Sequence, residues 1–436
     1  MKILKLSILL LFLSTNIQAQ EVWTLEKCVK RAIDKNISIK QSQADLKSTS
    51  LNKTTAIANF LPNLNLGASH SWNVGLNQNI TTGILENMTT RSASMNANVG
   101  IDLFNGLQNI QQLYRANLSI LASQYQLADM KENISLLVAN SYLQILFNQE
   151  SLGVQKSQLN VANEELIIAK ERLKTGIIPQ GDVLEIEANV ATIEQGVVVA
   201  ENNYQLSKIA LAQLLLIKDV DQFEIAQNQD LNTSSSILNT PVNTIYNTAV
   251  GKRNDVRLAE TNLKIAKKDL AIARGILLPK LSGFYSYNSR VLFDDPSDIS
   301  HQLDRNAGQN FGLQLSIPIF NGMGNNTNIK RSKIGIQKST YALEQVKLDL
   351  ENTINQAYND AKGSLKAYQA AEKTLAARKS AYDYAKERFD NGGMNTFNFL
   401  QAGQRYEAAQ SELIKTKYNY IFKLKVLEFY FGEASL

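Results

Sequence analysis

Apolar side chains recur every seven residues along two long stretches of the chain. In the first, which runs from Leu107 to Lys174 without a proline, they are Val138, Ile145, Leu152, Leu159, Leu166 and Leu173. The second has Ile354, Ala361, Tyr368, Leu375, Tyr382 and Phe389. A seven-residue period is typical of helices that pack as coiled coils. The first stretch predicts a helix of about 100 Å, which is longer than an ordinary helical bundle would need.

Each long helix is followed by a partner helix with the same spacing. The partners carry Val183, Val190, Val197, Tyr204 and Leu211 in one case and Phe399, Tyr406, Leu413, Tyr420 and Leu427 in the other. The turns between them contain Gly176 and Gly181, and Gly392 and Gly393. Glycine ends a helix by adopting the left-handed conformation, and Asp or Asn caps the next helix. Each pair therefore predicts a helical hairpin with a tight turn at its tip.

Four further segments alternate with a period of two, which is the signal of a half-buried strand. One face carries Leu64, Leu66, Ala68, His70, Trp72 and Val74; Ala93, Met95, Ala97, Val99, Ile101 and Leu103; Leu281, Gly283, Tyr285 and Tyr287; and Phe311, Leu313, Leu315, Ile317 and Ile319. The other face is small and polar, with almost no Lys or Glu. Hairpin loops are predicted from Asn77 to Arg91 and from Arg290 to Asn310.

The alternation alone fits either a soluble sheet packed on helices or strands that cross a membrane. Segments of about ten residues match the span of a transmembrane strand, and the polar face suits a wet lumen. Four strands cannot close a membrane barrel, because the smallest known barrels have eight. An open sheet would leave backbone groups unpaired in lipid. Membrane-spanning strands would therefore require several copies of the chain to share one barrel.

Landmarks recur at nearly one offset, which indicates an internal duplication. Leu61-Pro62-Asn63-Leu64 returns as Leu278-Pro279-Lys280-Leu281, Ile101 to Gly106 as Ile317 to Gly322, and Glu171-Arg172-Leu173 as Glu387-Arg388-Phe389. We predict a signal peptide over residues 1–19, a first repeat over 20–218, a linker over 219–241 and a second repeat over 242–436. Lys2 and Lys5 before an apolar run, with Ala19 at the cleavage point, support the signal peptide. Cys28 lies away from that point, which disfavours a lipid anchor.

Composition narrows the possible chemistry. The chain has 436 residues with 44% apolar residues, a net charge of +5, one Cys and two His. Cationic and anionic residues are interleaved, so no nucleic-acid surface is indicated. The sequence contains no phosphate-binding loop, zinc motif or nucleophile elbow. We therefore expect no enzyme activity and no cofactor, and any energy source would have to come from a partner.

These features together are similar to the TolC family of outer-membrane efflux and secretion channels. The resemblance rests on the duplication, the Leu-Pro-x-Leu strand openings, the Phe-Asn-Gly exits at 104–106 and 320–322, and the two tip turns. It implies an α+β membrane protein whose coiled-coil hairpins form an α-barrel in the periplasm. Each chain would contribute four transmembrane β-strands to a shared β-barrel in outer-membrane lipid. The implied assembly is a homotrimer that works with a periplasmic adaptor protein and an inner-membrane pump and conducts drugs, small molecules or proteins passively.

The resemblance also implies a constriction at the periplasmic tip, commonly acidic. Here the matching positions of the second hairpin are Asn398 and Gln401, whereas Asp182 and Glu185 occupy them in the first. An acidic ring from Asp182 and Glu185 is one interpretation. The other is that Asp182 only caps its helix and Glu185 supports that cap.

A second function class also accommodates long helical hairpins. A periplasmic coiled-coil scaffold or adaptor protein would need them but would have no pore. The strands discriminate between the two, because a scaffold requires no lipid-facing alternation that ends in aromatic residues such as Trp72, Tyr285 and Tyr287.

Overall fold

The structure is a computed structural model that describes residues 22–79, 82–226 and 236–431. The predicted signal peptide and the middle of the predicted linker lie outside these ranges. The chain forms two compact units. The helical unit contains the chain up to Ser42, Leu127–Arg253 and the chain from Lys347 onward, and the sheet unit contains Gln43–Gln126 and Asn254–Val346.

Helices dominate both repeats of the chain. In the first half the elements are β1 (Val22–Trp23), α1 (Leu25–Lys35), α2 (Ile37–Ala58), β2 (Asn63–Gln78), β3 (Leu85–Asn105), α3 (Gln108–Lys174), α4 (Gln180–Leu214) and β4 (Glu224–Ile225). A 3-10 turn at Ser236–Asn239 precedes α5 (Val242–Lys252), α6 (Asn254–Gly275), β5 (Lys280–Leu292), α7 (Ile299–Arg305), β6 (Gly308–Ser316), α8 (Gly324–Asp390) and α9 (Thr396–Phe431). Two short helices, two strands, a long helix and its partner occur twice, so the predicted internal repeat is confirmed. The predicted boundaries of the repeats stay predictions.

The predicted long helices are present, and α3 and α8 contain 67 residues each. Every residue of the seven-residue pattern named above is buried or half-buried. This is the burial expected when one row of side chains from each helix packs against its neighbours. The prediction of coiled-coil packing is therefore confirmed in both halves of the chain.

The helical unit also holds an element that the sequence did not predict. Strands β1 and β4 form a short parallel pair in which Val22 lies opposite Glu224. The hydroxyl of Tyr142, a fully buried residue of α3, lies 3.2 Å from the carbonyl oxygens of Trp23 and Ala226. Tyr142 belongs to an apolar core cluster that also contains Cys28. These contacts fasten the chain at Trp23 and at Ala226 to the long helix α3.

The sheet unit is built on one four-stranded antiparallel sheet with the order β2-β3-β5-β6. Two details differ from the sequence prediction. The loop predicted from Asn77 to Arg91 is mostly strand, because β2 continues to Gln78 and β3 begins at Leu85. The segment predicted as a loop from Arg290 to Asn310 contains the helix α7, and β6 already ends at Ser316.

A bulge in β3 also changes the face of one predicted residue. The register shifts between Asp102 and Phe104, so Phe104 rather than Leu103 lies opposite Leu281. A bulge inserts one extra residue and reverses the alternation beyond it. Leu103 is that extra residue, which the apolar pattern alone could not reveal.

The exits from the sheet into the long helices share one backbone conformation. Gly106 and Leu107 have positive φ angles of 67° and 63°, and Gly322 and Met323 have 63° and 69°. A Cβ atom on Gly106 would overlap the carbonyl oxygen of Gly275. This exit therefore requires glycine both for its dihedral angles and for the close approach of a second backbone.

The glycine requirement gives a stability prediction. Gly106→Ala should lower the thermal unfolding midpoint in detergent, because the left-handed conformation costs about 1–2 kcal/mol for Ala and the new methyl group has no space. The control is Gly335→Ala in α8, where nothing lies within 4 Å of the new Cβ. It should leave the midpoint unchanged or raise it, since Ala is favoured over Gly in a helix by about 1 kcal/mol. Equal midpoints for the two variants would contradict this account.

Candidate functional site

The first candidate surface is the apolar face of the sheet. Along one row Leu64 lies opposite Val99, Val99 opposite Tyr285, and Tyr285 opposite Phe311, so all four share a face. Leu66 is 78% exposed and Phe311 is 77% exposed. A soluble monomer rarely leaves so extended an apolar surface in water. This face therefore needs an apolar partner, as a membrane-facing surface would.

The opposite face of the same sheet is polar and small. The hydroxyl oxygens of Ser69 and Ser94 lie 2.8 Å apart, and those of Ser71 and Ser92 lie 2.9 Å apart. The Ser286 hydroxyl donates to the Asn98 side-chain oxygen at 2.8 Å. Cross-strand hydroxyl and amide pairs of this kind order a wet surface without placing a fixed charge on it. The face suits contact with water and with solutes of varied chemistry.

The edges of the sheet are treated in two different ways. Strand β6 pairs with β5 only as far as Asn288, and beyond this residue α7 and the residue after it cover the edge of β5. The Leu292 N–H donates to the Gln302 side-chain oxygen at 2.8 Å, and the Asn306 amide donates to the Arg290 carbonyl at 2.7 Å. The outer edges of β2 and β6 have no strand partner within the part of the chain that the structure describes. These two edges are available for pairing with other copies.

An aromatic cluster lies near the far end of the apolar face. The ring of His70 contacts Trp72 at 4.3 Å and Phe293 at 5.0 Å between centroids. Arg91, directly opposite Trp72, forms an ion pair of 3.6 Å with Asp294. Aromatic residues with nearby charges are typical of the water interface of a membrane protein.

The second candidate surface is formed by the tips of the two hairpins, both in the helical unit. Gly176 and Gly392 have φ angles of 75° and 74°. In each turn the glycine N–H and the N–H after it bond back to carbonyls of the preceding helix, as Gly176 to Leu173 and Ile177 to Arg172. This is the Schellman ending, and it confirms that Gly176 and Gly392 end the long helices. Gly181 lies within α4 instead, and Gly393 has no positive φ.

The predicted cap is wrong in position for the first partner helix and confirmed as an Asn for the second. Helix α4 begins at Gln180 with Pro179 at its N-cap, so Asp182 lies in the first turn and does not cap. In the second hairpin the Asn395 side chain accepts the Asn398 N–H at 2.9 Å, so Asn395 caps α9. The restricted φ of Pro179 favours a helix start directly after it, so α4 begins two residues before Asp182.

Freed from capping, Asp182 joins the two hairpins. The Thr396 hydroxyl, on a residue that is 3% exposed, donates to a carboxylate oxygen of Asp182 at 2.6 Å. Of the other predicted constriction residues, Glu185 and Gln401 line one shallow groove between α4 and α9. Asn398 is exposed and lies outside this groove. The structure therefore brings together Glu185 with Gln401, and Asp182 with Thr396.

Sequence reasoning missed further contacts between the hairpins. The Tyr382 hydroxyl donates to Glu165 at 2.7 Å, and Arg172 pairs with Asp390 at 2.9 Å. Within the second hairpin the rings of Phe389 and Phe399 stack at 4.5 Å, and the apolar cluster around them also includes Val183 and Ile186 of the first hairpin. The signal that could have found the polar pairs is the repeat itself, because each joins residues about one repeat length apart, as does Asp182 with Thr396.

Two carboxyl groups near these contacts have raised pKa values. Burial raises the pKa of Glu165 against the opposing effects of its Tyr382 hydrogen bond and Lys386. Burial, followed by repulsion from Glu165, raises the pKa of Glu407 to about 7. Both line a cavity of about 170 Å³. Within the described ranges, no three His, Cys, Asp or Glu residues converge as metal ligands.

No helix in the described part of the chain combines the length and apolar character needed to cross a bilayer. The lone thiol offers no evident chemistry either. Cys28 is fully buried, and burial raises its pKa to about 12, so it is kept in the unreactive thiol form.

Comparison with known proteins gives a consistent result. The model of the family described as outer membrane efflux protein matches residues 28–215 and 245–433. The chain is 21% identical to the outer membrane protein TolC of Escherichia coli over 404 residues, which cover 88% of this chain and 77% of that protein. It is 24% identical to the pyoverdine export outer membrane protein OpmQ of Pseudomonas aeruginosa, covering 90% and 81%. The fold matches that of the outer membrane protein VceC from Vibrio cholerae with a TM-score of 0.79 at 17% identity, covering 94% and 96%.

The hydrogen bond between the hairpins gives a second prediction. Thr396→Val removes the donor to Asp182 and should lower the free energy of unfolding by about 1–3 kcal/mol, as expected for a bond to a charged group. Thr374→Val in α8 is the control, because that exposed hydroxyl bonds only to its own helix, at Ala370.

The pair is isolated by adding Asp182→Asn and the double variant. Denaturant unfolding in detergent should show that the two changes are not additive, because each removes the same interaction. Full additivity would mean that the contact does not join the hairpins in solution.

Proposed function

The chain belongs to the outer membrane efflux protein family, and from this we propose that it is the passive outer-membrane conduit through which an inner-membrane pump discharges drugs, small molecules or proteins. Being the outer-membrane channel component of an efflux system, it is not an enzyme. It sits in the outer membrane and spans the periplasm. Proteins of the family form homotrimers that work with periplasmic adaptor proteins and inner-membrane pumps.

The observation that carries the proposal is the two-faced sheet. One face exposes apolar residues such as Leu66 and Phe311, whereas the other carries serine and asparagine pairs. A sheet of this kind fits a wall between lipid and water. We infer that β6 of one copy pairs with β2 of the next, so that three copies close a barrel of twelve strands. Closure of this kind satisfies the backbone groups that an open edge would leave unpaired in lipid.

The alternative of a periplasmic scaffold or adaptor without a pore fits the sheet poorly. In a scaffold the apolar face of the sheet would have to be covered by protein. Within the part of the chain that the structure describes, α7 packs only at the far end of β5, and Leu64, Leu66 and Val74 stay exposed.

At the tips we propose a constriction with an acidic character. Glu185 is exposed beside Gln401, and Asp182 is held by Thr396. Asn398 contributes an exposed amide near the same turn. In a trimer, two carboxylates from each copy would surround the passage and attract cations. The glycine turns at Gly176 and Gly392 support this arrangement by reversing the chain sharply.

The organisation of the chain completes the proposal. We infer that residues 1–19 are removed on export and that the repeats span 20–218 and 242–436, joined by a linker over 219–241. The duplication places one helical hairpin and two strands in each repeat, so that three chains would supply twelve helices and twelve strands.

The function is tested by reconstituting the purified protein into planar bilayers and recording single-channel currents. We expect discrete conductance steps with a preference for cations. Replacing Asp182 with Asn and Glu185 with Gln together should reduce that preference, because both changes remove negative charge at the passage.

The matched control is Glu194→Gln, an exposed glutamate further along α4. It should leave selectivity unchanged. Absence of conductance would contradict the conduit, whereas normal conductance with unchanged selectivity in the double variant would remove Asp182 and Glu185 from the constriction.

A further inference from the structure

A small cavity inside the helical unit brings together side chains from all four helices of the two hairpins. It measures about 170 Å³. Its polar lining includes Gln158 and Glu165 from α3, Asn189 from α4, Tyr382 from α8, and Tyr406 and Glu407 from α9. The lining of this cavity contains none of the four residues proposed for the constriction, which are Asp182, Glu185, Asn398 and Gln401.

A hydrogen-bonded network crosses the cavity from helix to helix. The Gln158 amide donates to the Gln410 side-chain oxygen at 2.9 Å, and the Gln410 amide donates to the Tyr406 hydroxyl at 2.9 Å. The Tyr406 ring stacks on Tyr382 with centroids 5.4 Å apart. The Tyr382 hydroxyl then donates to Glu165 at 2.7 Å. The first hairpin is therefore tied to the second through neutral donors.

Glu407 lines the same cavity but takes no part in this hydrogen-bonded network. It accepts no hydrogen bond and forms no ion pair in the part of the chain that the structure describes. It lines the same cavity as Glu165 of the opposite hairpin, and the negative charge of Glu165 makes ionisation of Glu407 harder. A half-buried carboxylate with no compensating partner is costly when charged.

The charged groups that act on Glu165 and on its partner Tyr382 lie mainly on α8. On α8, Lys386 favours the charged form of Glu165, whereas Asp390 disfavours it, and Asp383 acts on Tyr382. On α4 the lining residue is the neutral Asn189. Burial is the largest cause of the raised pKa values of Glu165 and Glu407, and the value for Glu407 is about 7.

We propose that Glu165 and Glu407 form a proton-operated latch between the two helical hairpins. When the pair holds a proton, α3 and α9 pack closely around the cavity. When both carboxylates are ionised, their repulsion and their need for water loosen the contact. No bond is made or broken except that to the proton, which exchanges with water through the cavity.

The direction of the pH effect follows from proton linkage. An ordinary Glu in the unfolded chain releases its proton near pH 4.5, whereas Glu407 in the folded chain has a pKa of about 7. Between these values the folded state binds more protons. The free energy of opening therefore falls as the pH rises through this window and becomes constant above it. The latch is tight in acid and loose at and above neutrality.

The latch itself does not depend on the proposed conduit, but its use as a regulator of the passage does. Hydrogen exchange of the full protein in detergent, corrected for the pH dependence of intrinsic exchange, reports opening directly. Amides of α9 around Glu407 should lose protection about tenfold between pH 6 and pH 8, since one pH unit within the window corresponds to a factor of ten. Glu407→Gln, which mimics the protonated form, should keep high protection at both values.

The control is Glu412→Gln, an exposed residue of the same helix that pairs with Lys415. It should retain the wild-type pH dependence. Should Glu407→Gln fail to fold, Glu165→Gln tests the same pair. Protection that does not change with pH in the wild type, or a change that persists in Glu407→Gln, would overturn the latch.

Channel recordings separate the two proposals. If the latch regulates the passage, conductance should change between pH 6 and pH 8 in the wild type and stay constant in Glu407→Gln. An absence of conductance at both pH values, with pH-dependent protection intact, would contradict the conduit and leave the latch supported. Conductance that is independent of pH in the wild type would overturn the regulatory role.

Discussion

Backbone hydrogen bonding at the edges of one sheet constrains everything else in this protein. Every N–H and C=O that enters the hydrocarbon of a membrane must find a partner within the protein, since lipid offers none. Here β2 and β6 end the described sheet with one side of each backbone unpaired. Apolar side chains cover only one face of the sheet. Burial of the whole sheet inside a globular core would therefore remove the polar face from water, which is unfavourable. Association with further copies of the same chain satisfies both requirements.

The internal repeat also determines how the two helical hairpins pack on each other. Two repeats of one sequence plan produce two hairpins in which residues about one repeat length apart lie in contact, as in the pairs Glu165 with Tyr382 and Asp182 with Thr396. A seven-residue row of apolar side chains gives each hairpin its length but specifies little about how one hairpin packs on the other. Short polar contacts supply that information, and they can be broken at small cost because each contributes only about 1–3 kcal/mol.

The sequence predicted the elements with a long, uniform period and failed where one residue decided the local outcome. The long helices followed from rows such as Val138 to Leu173, because packing against neighbours rewards each turn in the same way. Asp182 was expected as a possible cap, but Pro179 moved the helix start ahead of it. The bulge at Leu103 leaves no mark in a pattern of apolar residues. The pairing of Glu165 with Glu407 depends on how the hairpins pack, which no single helix encodes.

The number of chains in the purified particle tests the central claim most directly. Static light scattering in detergent, with the detergent mass subtracted, measures the protein mass of the particle. A sheet that must close with copies of itself predicts three times the mass of one chain, and β2 and β6 would then lie at three equivalent seams. A stable particle with the mass of a single chain would leave both edges open and would contradict the account.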